Sequence, residues 1–73
     1  MEHLFEISYN RLWKLLIDRK MKKKDLQEAT HLSSAVIAKM GRGESVHLNT
    51  LAKICCSLHC GLADIVDIVQ KGV

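Results

Sequence analysis

The sequence predicts an all-α fold, a compact bundle of five helices, and three observations indicate it. Apolar residues make up 48% of the 73-residue chain, which is enough for a core, and the chain has no proline. Aromatic residues are scarce, and the β-branched residues are scattered instead of alternating with polar ones. A chain of this length forms one domain, residues 1–73, without room for a second core.

The first predicted helix follows a lead-in, residues 1–7, that we expect to be loosely attached. Ser8 is a candidate N-cap because its hydroxyl can accept a hydrogen bond from the first turn. The helix runs through Arg19 and ends at Lys20, and its apolar face is formed by Leu12, Leu15 and Leu16.

The second and third predicted helices are joined by a short turn. The second covers about 23–30, with Leu26 inward and lysines outward, and the third covers about 34–41 with Ser33 as its N-cap. Glycines at 41 and 43 end the third helix. A turn of about three residues prevents the two helices from folding back antiparallel, so we expect the steep crossing of a helix-turn-helix.

Two more helices complete the predicted bundle. The fourth, roughly 48–59, has apolar residues at helical spacing: Leu48, Leu51, Ile54, Cys55 and Leu58. After Gly61, a fifth helix is predicted from the similar spacing of Leu62, Ile65, Ile68 and Val69. These are more apolar residues than one closing helix needs, so we expect the fifth helix to form the contact of a homodimer.

Positive charge is concentrated in the middle of the chain. The net charge is +3, but residues 11–42 hold nine basic side chains against three acidic ones, a net of +6. Residues 1–10 carry −2 and residues 43–73 carry −1. This distribution favours a polyanionic partner, although a solvated lysine-rich loop explains the same charge.

The third helix has a face suited to DNA. Its inner stripe is Ile37 and Met40 with part of Val36, which leaves an outer face formed by Ser34, Ala35, Ala38 and Lys39. Small side chains would let the helix backbone sit deep in a major groove while Lys39 reaches a base edge. The alternative is an ordinary helix-surface lysine.

The stretch DLQEATHLSSAVIAKMGRGESVHLNTLAKICCSL, followed by DIVDIV, resembles the phage Cro and repressor family of helix-turn-helix regulators, also called the XRE family. The resemblance runs from about Ile7 to Val69. It implies a five-helix fold that binds operator DNA, usually as a symmetric dimer. Transferred by position, it implies base contacts from the third helix and phosphate or base contacts from the start of the second. The predicted DNA-binding residues are Lys23, Ser33, Ser34, Ala35, Ala38, Lys39 and Arg42.

Three features depart from the family pattern. His31 occupies the turn position normally held by glycine, where a positive φ costs another residue roughly 1 kcal/mol. The family's frequent arginine–glutamate pair between the first and third helices falls on Leu16 and Gly41, so both partners are absent. Glu44 places an acid where a phosphate clamp would prefer a base.

The cluster CCSLHC, residues 55–60, invites a metal or redox interpretation. Cys55 and His59 are four residues apart, as are Cys56 and Cys60. A closed tetrahedral site built from one helix is nevertheless difficult, and Cys55 lies on the apolar stripe, where cysteine acts as a small apolar residue. We expect reduced thiols with neither metal nor cofactor, and no small-molecule ligand.

Other function classes receive less support from the sequence. No nucleophile–base constellation or phosphate-binding loop occurs, so we do not expect an enzyme. No apolar run is long enough to span a bilayer and no leader is recognisable, so we expect a cytoplasmic protein without membrane contact. Two hypotheses remain. The first is a DNA-binding transcriptional regulator, and the second is a protein-interaction module or antitoxin-like adaptor with the same fold. The cationic segment 11–42 favours the regulator, since a protein partner would not require it.

Overall fold

Four helices and a two-stranded sheet form the fold in the computed structural model, which describes residues 4–70. The elements are β1 (Phe5–Ser8), α1 (Asn10–Asp18), α2 (Lys23–Thr30), α3 (Ser34–Gly41), α4 (Leu48–Leu58), a 3₁₀ turn (Leu62–Asp64) and β2 (Asp67–Gln70). The longest helix, α4, has 11 residues. No helix within residues 4–70 is both long and apolar enough to cross a membrane.

The core is formed by apolar side chains from all four helices and from the segments that flank the sheet. Its buried members are Tyr9, Leu12, Leu16, Leu26, Ile37, Met40, Leu51, Ile54, Leu58 and Ile65. Among the residues described, Thr30 is the only buried polar one, and its hydroxyl donates to the Leu26 carbonyl at 2.7 Å. The core therefore contains no polar side chain that lacks a partner.

The structure confirms the predicted helix-turn-helix. α2 has the predicted bounds, and Ser33 caps α3 by accepting a hydrogen bond from the Val36 N–H at 3.2 Å. His31 ends α2 in the left-handed region, with φ of 58°, which turns the chain sharply toward α3. Lys20 after α1 and His59 after α4 also have positive φ, of 58° and 55°, and neither was predicted from the sequence.

The predicted start of α1 needs a small correction. Ser8 is the last residue of β1, and Tyr9 occupies the N-cap position, since the helix begins at Asn10. The Ser8 hydroxyl still accepts a hydrogen bond from the Asn10 N–H at 3.3 Å. The buried Tyr9 side chain lets the chain pass directly from strand to helix.

The predicted fifth helix is wrong. Its first residues form the 3₁₀ turn, and the chain then extends into β2. The spacing of Leu62, Ile65, Ile68 and Val69 suits a helix, but the segment IVDIV from 65 to 69 is β-branched at all positions except Asp67. Such side chains are stiff at χ1 and favour a pleated strand when a partner strand is available.

The partner strand comes from the segment that was predicted to be a loosely attached lead-in. Residues 1–3 of that segment lie outside the residues described, but Phe5, Glu6 and Ile7 belong to β1. β1 pairs antiparallel with β2, with Phe5 opposite Gln70 and Ile7 opposite Ile68. The pairing satisfies backbone donors and acceptors of both strands, and Ile7 packs against the core. The lead-in therefore helps to close the fold.

Candidate nucleic-acid interface

The outer face of α3 is exposed as the sequence predicted. Ser34, Ala35, Ala38 and Lys39 are all exposed, whereas Ile37 and Met40 on the opposite face are 7% and 1% exposed. Helical spacing arranges the outer residues in two rows. One row contains only small residues and runs Ser34, Ala38, Gly41; the other runs Ala35, Lys39, Arg42. The face therefore combines a smooth, small-residue strip with a row that ends in two cations.

The segment after α3 is held by a tight C-terminal turn. Gly43 has φ of 75°, which glycine adopts without strain, and its N–H donates to the Met40 carbonyl at 3.0 Å. The Glu44 N–H donates to the Lys39 carbonyl at 3.0 Å. These bonds fix the direction in which residues 42–46 leave the helix.

Tyr9 ties this same segment to the start of α1. Its side chain is 3% exposed, and its hydroxyl donates to the Glu44 carbonyl at 2.9 Å. Burial raises the pKa of the Tyr9 hydroxyl above its ordinary value, so the hydroxyl remains a donor at neutral pH. This contact could not be predicted from the sequence, because the two residues are 35 positions apart.

Arg42, one of the predicted DNA-binding residues, pairs with an acid in the free protein. Its Nε donates to Oε2 of Glu44 at 2.5 Å, and the two side chains are 60% and 46% exposed. This hydrogen bond from Arg42 lowers the pKa of the Glu44 carboxyl below its ordinary value. The acid at position 44, which departs from the family pattern, therefore pairs with Arg42 and offsets its positive charge.

Lys23, the first residue of α2, lies at the junction of three helices. Its ammonium is 4.5 Å from the centroid of the Trp13 ring on α1, a cation–π distance. A methyl group at residue 41, the last position of α3, would lie 3.5 Å from the same nitrogen. Trp13 is partly buried against the core, and its contact with Lys23 was not predicted from the sequence.

Two other cations of the basic segment contact a different part of the fold. Arg11 donates to the Ala63 carbonyl at 3.2 Å and lies 3.7 Å from the Asp67 carboxylate. The Arg19 guanidinium donates to the Leu58 carbonyl at the end of α4. These arginines link α1 to the C-terminal part of the chain. The positive charge near the helix-turn-helix comes instead from Lys39, Arg42 and the exposed lysines at 22–24.

The cysteine cluster is separate from this surface. All three thiols are free, with Cys55 and Cys60 half-buried and Cys56 exposed. Burial, assisted by the neighbouring Cys60, raises the pKa of the Cys55 thiol, which disfavours the reactive thiolate. Within residues 4–70, no group of three or more histidine, cysteine or acidic side chains is arranged to hold a metal ion.

Comparisons with known proteins agree with this fold. The profile of the Cro/C1-type HTH DNA-binding domain family matches residues 11–71. The crystal structure of the transcriptional regulator VanUg, form II, is similar over 96% of this chain and 93% of that chain, with 44% sequence identity and a TM-score of 0.90. No curated protein sequence matches the chain.

Proposed function

The chain belongs to the Cro/C1-type helix-turn-helix DNA-binding domain family, and on that premise we propose that it is a sequence-specific transcriptional regulator. The observation that carries the proposal is the exposed outer face of α3, in which small residues surround one long cation, Lys39. Ile37 and Met40 anchor the opposite face in the core, so the outer face is presented as a rigid surface.

In this proposal α3 lies in the DNA major groove. The groove is about 12 Å wide and an α-helix with its side chains is about 10–12 Å across, so small side chains on the leading face allow close approach. The Lys39 ammonium then donates to guanine O6 or N7. Ser34 can add a hydrogen bond, and the methyl groups of Ala35 and Ala38 can contact thymine methyl groups.

Phosphate contacts flank the recognition helix. Lys23 lies beside the C-terminal end of α3, and Arg42 is the residue directly after that helix. At the other end, the Ser33 oxygen accepts the capping hydrogen bond, which leaves its hydroxyl hydrogen to donate to a phosphate oxygen. Such contacts fix the register of the protein on DNA without carrying sequence information.

We also infer that the protein binds DNA as a symmetric homodimer. One helix of eight residues contacts too few base pairs for useful discrimination, and two copies would read half-sites about 34 Å apart. The dimer contact predicted from the sequence has to be revised, because the fifth helix is absent and Ile65 is 0% exposed.

The two-stranded sheet offers a more suitable dimer contact. By the register of pairing, Phe5, Ile7 and Ile68 share one face, of which Ile7 packs on the core. Phe5 is 49% exposed and Ile68 is 66% exposed. The rest of the domain therefore covers only part of this apolar face. A second copy related by a two-fold axis would bury the exposed part.

Selection from a random pool of duplex DNA tests the proposed function. We expect enrichment of a short sequence with two symmetric half-sites one helical turn apart. Binding without enrichment would contradict sequence-specific recognition. If the protein does not bind duplex DNA even at low salt, the fold serves instead as a protein-interaction module.

A further inference from the structure

We propose that Trp13 is a positioning residue for DNA binding, because it holds the Lys23 ammonium at the seam of α1, α2 and α3 as a fixed charge for one backbone phosphate. This inference rests on the proposed function and adds a residue to it. The carrying geometry is the 4.5 Å separation between the Lys23 nitrogen and the Trp13 ring centroid, together with the position of that nitrogen beside Gly41, where an added methyl group would lie 3.5 Å away.

The position of Lys23 in α2 calls for such a partner. As the first residue of the helix, it lies at the positive end of the helix dipole, where a cation is unfavourable. The side chain reaches back to the negative face of the Trp13 ring and to the C-terminal end of α3, which carries partial negative charge. The Trp13 ring and the C-terminal end of α3 both stabilise the ammonium at a distance from the N-terminus of α2.

Holding the ammonium in advance strengthens phosphate binding. A lysine side chain is among those that lose the most rotamer entropy when fixed, and this loss opposes binding by a mobile lysine. A lysine already held against a ring loses less. Arg42, the residue after Gly41, adds a second cation at this end of α3.

A purely structural role for Trp13 makes a different prediction. The ring is partly buried against the core, so its removal could simply loosen α1. Looser packing would weaken DNA binding whether or not Lys23 is present. Positioning of the cation would weaken binding only in the presence of Lys23. A double-mutant cycle separates the two roles.

The test measures binding to a random-sequence duplex over a salt series, because a phosphate contact does not depend on sequence. Trp13→Leu should lower the affinity about two- to five-fold, the range for an exposed cation–π contact, and leave the salt slope unchanged. Lys23→Ala should reduce the magnitude of the slope by about 0.9. Adding Trp13→Leu to Lys23→Ala should cause no further loss.

Two companion variants guard against a folding defect. Trp13→Phe keeps an aromatic ring with weaker cation attraction and should give an intermediate affinity. Gly41→Asp places a carboxylate beside the Lys23 nitrogen and should lower both the affinity and the magnitude of the salt slope. The Lys23 side-chain methylene protons next to the nitrogen should show an upfield NMR shift from the ring, which Trp13→Leu abolishes.

The outcomes distinguish this inference from the proposed function. Equal losses from Trp13→Leu with and without Lys23 would overturn the positioning role while the protein still binds DNA. A Trp13→Phe variant as weak as Trp13→Leu would also count against it. Failure of the wild type to bind any duplex at low salt would overturn the proposed function, and the role of Trp13 with it.

Discussion

The Arg42 guanidinium donates through Nε to Oε2 of Glu44 at 2.5 Å, directly after the C-terminal end of α3. The pair brings an acid to the edge of the surface that we propose binds DNA. Because the Arg42 hydrogen bond lowers the pKa of Glu44, the carboxylate remains ionised at neutral pH. Its stabilising interaction is complete above the ordinary carboxyl range and is lost as the pH falls through the lowered pKa.

Replacement of Glu44 by glutamine should strengthen binding to DNA. The change releases the Arg42 guanidinium and removes a negative charge that a phosphate would meet. We expect a several-fold higher affinity for random duplex DNA and a salt slope steeper by about 0.9, measured by titration at several salt concentrations. Asp18→Asn, the same charge change at the exposed C-terminal end of α1, is the matched control. An equal gain in both variants would show that only net charge matters.

Loss of the Tyr9 hydroxyl should destabilise the fold. Tyr9→Phe removes the 2.9 Å hydrogen bond to the Glu44 carbonyl, and we expect the free energy of unfolding to fall by about 0.5–1.5 kcal/mol. Denaturant unfolding measures the change. In the wild type, burial raises the pKa of Tyr9, so the stability that the neutral side chain contributes is present at neutral pH and lost as the pH rises through the raised pKa. An unchanged unfolding midpoint in Tyr9→Phe would mean that the bond contributes nothing.

The helix-turn-helix could be predicted from the sequence because its determinants are local. The spacing of Leu26, Ile37 and Met40 marks the inner faces of α2 and α3. The Ser33 hydroxyl caps α3 by accepting a hydrogen bond from the N–H of Val36, only three residues later in the chain. The C-terminal segment could not be predicted in this way. The spacing of Ile65, Ile68 and Val69 suits a helix, and the strand is selected instead by pairing with β1, about 60 residues earlier.

The same distinction applies to the proposed DNA-binding surface. The exposure of Ser34, Ala35, Ala38 and Lys39 follows from helical periodicity and was predicted. The contact between Lys23 and Trp13 depends on the angle at which α1 and α2 meet, which no spacing in the sequence specifies. The hydrogen-bonded ion pair between Arg42 and Glu44 depends in turn on the tight turn at Gly43.

A glycine at position 31 should stabilise the free protein. His31 has φ of 58° and ψ of 27°, a conformation that costs a residue with a Cβ roughly 1 kcal/mol. We expect His31→Gly to raise the free energy of unfolding by somewhat less than this, because glycine gains entropy in the unfolded chain. Gly43→Ala is the opposite control and should destabilise, since φ there is 75°. A lower melting temperature for His31→Gly would contradict the explanation.

Disruption of the exposed sheet face should prevent dimer formation without unfolding the protein. Ile68 is 66% exposed, so Ile68→Lys should remove an apolar contact between copies while leaving the core intact. Sedimentation velocity on the DNA complex should then show one subunit bound to each operator instead of a symmetric pair. Ile17→Lys on α1, where the side chain is 73% exposed, is the control and should leave the assembly unchanged. A wild-type complex whose mass corresponds to one subunit would contradict the dimer.

The base-reading role of Lys39 is the central claim, and one comparison of affinities tests it most directly. Lys39→Ala and the control Lys53→Ala, which removes an exposed lysine from α4, are titrated with the selected operator, a single-base mutant of it and random DNA. We expect Lys39→Ala to lose about 1–3 kcal/mol of binding free energy on the operator and to relax preference at one base position per half-site. Lys53→Ala should bind like the wild type. An equal loss of affinity for all three DNAs in Lys39→Ala would show that α3 does not read bases through Lys39.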